Sequence, residues 1–190
     1  MQRLKTTSWL WLLLALALRP VPARGAEFAG QTLTKIRQVR VPGRIFVKDG
    51  KLRQEFSDNK GQTVTILRLD KKVVWVLLPW ERIYMEEPLN AQWPGQFIQI
   101  PPDAKGKRLL GSERVWGYDA QKYQVAVPAK TGVEYQTFWV APNLGLPIKV
   151  AVPSRNFSME YRNISERSLP NRLFEIPPGY KKVTKPALEP

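Results

Sequence analysis

The chain of 190 residues contains neither Cys nor His, which removes thiolate chemistry, the commonest general base and the commonest metal ligand. Nucleophilic or acid–base chemistry would have to come from Ser, Lys, Asp, Glu or Tyr. The pairs Ser112-Glu113 and Glu86-Glu87 bring such groups together, and neither sits in a motif that joins a nucleophile to an oriented base. The expectation is a protein without enzymatic activity, with no metal and no cofactor. The chain is rich instead in aromatic side chains and positive charge, with seven Trp, six Tyr and seven Phe beside 30 Lys and Arg. Such residues can sequester a ligand without reacting with it. Each methylene removed from water is worth about 0.8 kcal/mol, Trp and Tyr rings place a polar atom beside an apolar face, and cations attract phosphate.

The elements that must position these side chains read as strands. Along Val73–Leu78 both parities are apolar, Val73/Trp75/Leu77 and Val74/Val76/Leu78, whereas a strand wet on one side alternates with polar residues. Both of its faces must be covered, by a second layer of the chain or by an apolar ligand in a concave sheet. Asp70-Lys71-Lys72 reverses the chain before this strand, and another strand begins at Ile83. Upstream, Leu33–Val41 reads as a strand ending at Pro42-Gly43, and Arg44–Lys48 joins Lys51–Ser57 through Asp49-Gly50, a strong hairpin signal. Asp58-Asn59-Lys60-Gly61 turns the chain into Gln62–Leu69. Downstream come Glu113–Val127, split near Tyr118-Asp119, then Val133–Val140, Pro147–Val152 and Phe157–Ile164. Regular short strands separated by turn residues indicate a strongly curved or closed antiparallel sheet.

Two segments interrupt this ladder. Glu27–Ile36 reads as a short N-terminal helix of weak periodicity, and Pro88–Gly111, with Trp93-Pro94-Gly95 and Pro101-Pro102, is too long and proline-rich for a tight hairpin. The second is a candidate lid or an edge-packing loop.

Residues 1–26 read as a cleaved secretory leader. Arg3 and Lys5 precede the apolar run Trp9–Leu18, which is far shorter than the about 20 residues a spanning helix needs, and Ala23, Gly25 and Ala26 offer small residues for cleavage. Four of the 30 cations and none of the 16 acids lie there, leaving the mature domain at +10. Residues 27–182 suffice for one domain with its own core, and 183–190 read as a flexible tail. The positive balance suits an anionic membrane surface, lipopolysaccharide or a phospholipid headgroup. Nucleic acid would be drawn by the same charges, but export argues against it.

Lys51-Leu52-Arg53-Gln54-Glu55, the run Leu67–Leu77 and Ile83-Tyr84-Met85-Glu86 follow one another in an order that resembles the bacterial periplasmic proteins described as outer-membrane lipoprotein-sorting proteins. Gly117-Tyr118-Asp119-Ala120-Gln121-Lys122-Tyr123, Phe138-Trp139-Val140-Ala141, Leu144–Val150 and Leu173–Tyr180 resemble that family's later blocks. The family often has a Glu-Cys pair where this chain has Asp119-Ala120. The resemblance spans Gln38 to Lys182 and implies a mainly β fold: a curved antiparallel sheet forming a half-open β-barrel, with a lid segment and few short helices. It also implies a periplasmic carrier or receptor in a Gram-negative-type bacterium, holding the acyl chains of a lipoprotein or phospholipid. An envelope interaction protein that docks a protein partner on the concave sheet is the alternative.

On this reading the cavity candidates, taken as the aromatic-rich parity of successive strands, are Phe46, Phe56, Val64, Ile66, Trp75, Leu77, Tyr135, Trp139 and Tyr161. Trp80, Trp93, Phe97 and Trp116, beside turn-like or proline-rich positions, are mouth or lid candidates, and Arg53, Arg68 and Arg82 are candidate rim cations. Asn156-Phe157-Ser158 and Asn163-Ile164-Ser165 match the N-glycosylation pattern and are read, in a bacterial context, as coincidence.

Overall fold

The structure, a computed structural model, describes residues 25–59, 61–89, 99–101, 103–129 and 132–184. Two antiparallel meanders dominate it. The first comprises β1 (Glu27–Ile36), β2 (Val39–Lys48), β3 (Lys51–Asp58), β4 (Gly61–Arg68), β5 (Val73–Leu78) and β6 (Ile83–Pro88). The second comprises β7 (Lys105–Val115), β8 (Tyr118–Ala129), β9 (Gly132–Ala141), β10 (Leu146–Val152) and β11 (Phe157–Glu166). Antiparallel pairing of β1 with β11 fuses them into one sheet. A two-residue strand β12 (Lys181–Lys182) adds in parallel to β6, giving the order β12-β6-β5-β4-β3-β2-β1-β11-β10-β9-β8-β7. The sheet is curved and not closed. Among the described residues helix is limited to two 3-10 turns, Pro153–Arg155 and Asn171–Phe174. The fold class is the mainly β, half-open one that the resemblance implies.

The turns explain the register. Asp49 and Gly50 adopt φ of 47° and 72°, the paired left-handed conformation that matches strand twist in a two-residue hairpin. Trp116 and Gly117, at 49° and 91°, do the same between β7 and β8, two residues before the expected split at Tyr118-Asp119. Asn156 and Asn163 are also left-handed, at 48° and 49°. Both therefore have a backbone reason to be asparagine, which tolerates this region better than most residues.

Four expectations are corrected. Glu27–Ile36 is strand β1, not a helix; Gly30, Thr32 and Thr34 on the same parity as Phe28 and Ile36 disguise its two-residue period. The strand expected over Leu33–Val41 is two strands, reversing at Arg37-Gln38, where Arg37 takes φ 56° without glycine to signal it. Pro42 and Gly43 lie inside β2 rather than in a turn. Pro42 falls one position beyond the last β2–β3 pair, Gly43↔Phe56, where no ladder bond to β3 is asked of it. Finally, the connection expected to run from Pro88 to Gly111 stops before Lys105, because β7 begins there.

Gly43 marks a tight place in the sheet. A Cβ built there would stand 2.6 Å from the Glu55 carbonyl oxygen and 2.7 Å from Thr32 Oγ1. Gly43→Ala should therefore cost about 1–3 kcal/mol through overpacking, read as a lowered midpoint in urea; an unchanged midpoint would mean that β2 shifts freely.

Candidate functional site: the concave face and its opposite

Because side chains alternate across a strand, register assigns each residue to a face. On one face stand Phe28, Gly30, Thr32, Thr34 and Ile36 of β1, Val39, Val41, Ile45 and Val47 of β2, and Leu52, Gln54 and Phe56 of β3. Leu67 and Val74 continue it through β4 and β5. From the second meander come Met159 and Tyr161 of β11, Val150 and Val152 of β10, Phe138 of β9, and Val125 and Val127 of β8. Phe28, Val47, Leu52, Leu67 and Val74 share one packed cluster with Val125, Val127, Phe138 and Val150. Both halves of the sheet meet on this side, so it is the concave one. Leu89, Ile100 and Ala104, from the connection between the two sheet edges, pack against the same cluster.

Exposure is graded along this face. Ile36 and Val39, paired at the β1–β2 turn, are 47% and 62% exposed; Thr34, Val41 and Phe56 are half-buried; Thr32 and Tyr161, paired across β1 and β11, fall to 3% and 1%. Beyond them Phe28, Ile45 and Val47 are sealed. The concave face is thus open at one end and closed at the other.

The opposite face of the first meander is covered by the chain itself. Leu169 and Phe174, with Leu173, Ile176 and Tyr180, pack on Val64, Ile66, Trp75 and Leu77. This C-terminal strap is pinned by polar contacts. Arg53 Nη1 donates to the Leu173 carbonyl at 3.1 Å and Lys48 Nζ to that of Leu169 at 2.7 Å. Buried Arg68 donates through Nη1 to the Phe174 carbonyl at 3.1 Å and to Glu175 at 2.6 Å, while its other nitrogens bind both oxygens of Asp70. Glu27 accepts the Leu169 N–H, and Lys182 pairs with Glu86, which also accepts Trp75 Nε1–H at 2.8 Å.

Electrostatics follow from these contacts. Hydrogen bonds from Arg68 hold Asp70 down at about 2. Glu27 is lowered by Lys48 and the Leu169 N–H, and Glu86 by Lys182 and the Trp75 indole. Burial pulls Glu175 upward, but Arg68 and Lys71 bring it below its ordinary value. On the concave side burial alone drives the Tyr161 hydroxyl well above the usual phenol range.

The sequence-derived candidates divide between the faces. Of the nine cavity candidates, Phe56 and Tyr161 belong to the concave face. Val64, Ile66, Trp75 and Leu77 lie beneath the strap, with Phe46 packed beside them. Trp139 has the outer parity of β9 yet is buried in the same packed cluster as Phe138 and Val150, with Lys122 and Lys149 at 4.9 and 4.4 Å from its ring and its N–H on Glu113. Tyr135, on the same side of β9, is 60% exposed. Trp80 sits in the β5–β6 turn over Gly61, where a Cβ would meet its ring at 2.7 Å, and Trp116 occupies the β7–β8 turn beneath Arg162 at 4.3 Å. Arg53 and Arg68 hold the strap, and the carbonyl of exposed Arg82 accepts the Lys181 N–H at 2.9 Å. Trp93 and Phe97 lie outside the described residues. Missed by sequence reasoning were Thr32, Thr34, Ile36, Val39, Val41 and Gln54; the period-two run Val39/Val41/Ile45/Val47 was the available signal, broken visually by Pro42-Gly43.

No family model matches the chain, and no curated protein matches it in sequence. Solved structures do match. An uncharacterized conserved protein from Thermus thermophilus aligns at TM-score 0.55 and 12% identity, over 85% of this chain and 91% of that one. A chain in the Pseudomonas aeruginosa MucA/MucB complex aligns at TM-score 0.50 and 16% identity, over 79% of this chain and 56% of that one, so the present chain spans little more than half its length. These likenesses establish a shared fold.

Proposed function

We propose that the protein is an exported, non-catalytic carrier or receptor of the bacterial envelope that shelters acyl chains of a lipid or lipoprotein on its concave face. The observation that carries this reading is the graded apolar face itself, exposed at Ile36 and Val39 and sealed at Phe28 and Ile45. Laying a chain along it removes methylenes from water with no rearrangement of the strands, and that transfer is the main driving force for holding a lipid. The leader supports export, the resemblance to lipoprotein-sorting proteins supports the periplasm, and the basic balance supports approach to an anionic membrane. Native mass spectrometry of the mature protein from its own envelope, followed by lipid extraction, tests it. Co-purified lipid or acylated peptide is expected. A clean apo mass that also takes up no fluorescent fatty acid would overturn the reading.

A second reading rests on the edge strand β7, where Leu109 and Leu110 are exposed between Lys107, Arg108 and Arg114. An extended segment of an envelope protein could add to such an edge through backbone hydrogen bonds, and the similar Pseudomonas chain is part of a two-protein complex. Pull-down of a protein partner in the absence of lipid would favour it.

A further inference from the structure

Where the concave face closes, it turns locally polar in a way that packing does not explain. Thr32 and Tyr161 are direct partners across β1 and β11, almost wholly buried, and neither the Thr32 Oγ1 nor the Tyr161 hydroxyl has a hydrogen-bond partner among the described residues. Thr32 Oγ1 lies over Gly43, and Gly43 pairs with Phe56 on β3. Two residues further along β3, buried Gln54 donates its Nε2 to the Met159 thioether at 3.5 Å, a weak acceptor. Orphaned hydroxyls at this depth are costly, and Phe with Val would pack the same space without that cost.

The donors share a second property. The cations of these four strands, among them Arg40, Arg44, Arg53 and Arg162, all fall on the parity opposite Thr32, Gln54 and Tyr161, and the charged residues that share the donors' parity, Asp58 and Glu166 at the strand ends, are acids. The group that these hydroxyls and this amide would recognise therefore accepts hydrogen bonds but carries no charge, since a buried carboxylate or phosphate would need a cation beside it. It must also continue into an apolar chain, because the way out runs past Thr34 and Val41 to Ile36 and Val39.

We infer that Thr32, Tyr161 and Gln54 form a binding subsite for the ester carbonyl of an acyl lipid, with the hydrocarbon on the graded apolar face. This deepens the carrier reading and rests on it. The ester can belong to a phospholipid or to the acylated end of a lipoprotein.

The test compares a diacyl phosphatidylglycerol with its dialkyl ether analogue, which has the same chains and headgroup but no carbonyl, by titration of the full mature protein. Wild type should bind the ester about tenfold more tightly, the scale of one to two hydrogen bonds. Tyr161→Phe with Thr32→Val should abolish that preference by weakening ester binding to the level of the ether, and keep or raise the melting temperature. Equal binding of both lipids by wild type, or a preference that survives in the double variant, would overturn the subsite while leaving the carrier reading intact. Binding of neither lipid would remove both. A synthetic diacylated lipopeptide run in competition identifies the source: displacement of the phospholipid at lower concentration assigns the ester to a lipoprotein, and the reverse assigns it to a phospholipid.

Discussion

Trp75→Ala is expected to cost about 3–5 kcal/mol of stability, the range for truncating a large buried aromatic. The indole lies beneath the strap with Phe174 and Ile66, donates to Glu86, and is flanked by Arg68 and Lys71 at 5.6 and 5.0 Å from its ring. Its removal opens a cavity and leaves the Glu86 carboxylate one donor short. Urea unfolding should show the loss, while lipid uptake per folded molecule should be unchanged, because Trp75 is on the face opposite Thr32 and Tyr161. Lost uptake at full stability would instead place Trp75 against the ligand and contradict the assignment of faces.

Arg68→Met should release the strap. The guanidinium serves Phe174, Glu175 and Asp70 at once, and its loss is expected to cost about 2–3 kcal/mol, less than a wholly buried pair because both carboxylates reach solvent. Acid should do the same to the wild type. Asp70, held at about 2, and Glu27, Glu86 and Glu175, all lowered in the fold, bind protons more readily when unfolded. Their contribution is complete above the ordinary carboxylate values near pH 4 and fades as pH falls toward about 2. The hydrogen-exchange protection factors at Leu173 and Phe174, corrected for the intrinsic pH dependence of amide exchange, should fall across that interval, and in Arg68→Met they should be low already at pH 6. A pH-independent protection factor in the wild type would show that apolar contacts alone hold the strap.

The sequence was most legible where local rules act alone. Asp49-Gly50 forms its hairpin, and the two-sided apolarity of Val73–Leu78 required two covers, which the structure supplies as the concave cluster and the strap. Periodicity could not say which parity faces which cover. Trp75 and Leu77 outweigh Val74 and Val76 in aromatic and aliphatic bulk, and that bulk is matched by Phe174 and Leu169, about a hundred residues away in sequence, rather than by the concave cluster. Arg53 and Arg68 looked like rim cations for the same reason, since backbone carbonyls of a distant segment leave no mark on the local pattern. Thr32 and Thr34 hid β1, because hydroxyls on a concave face break the apolar alternation by which a half-buried strand is recognised.

The pairing of β1 with β11 also sets a schedule for assembly. Strands β1 to β6 can zip as successive hairpins, but the inner edge of β1 has no neighbour until β11, encoded more than a hundred residues later, is present. A chain synthesised N-terminus first would hold a bare strand edge and an unroofed apolar sheet for the whole of that interval, the condition most prone to edge-to-edge aggregation. Non-local closure of this kind is slow. Folding yield should accordingly depend on holding chaperones more than on final stability, and fusing β11 ahead of β1 in a circular permutant should shorten the exposed stage.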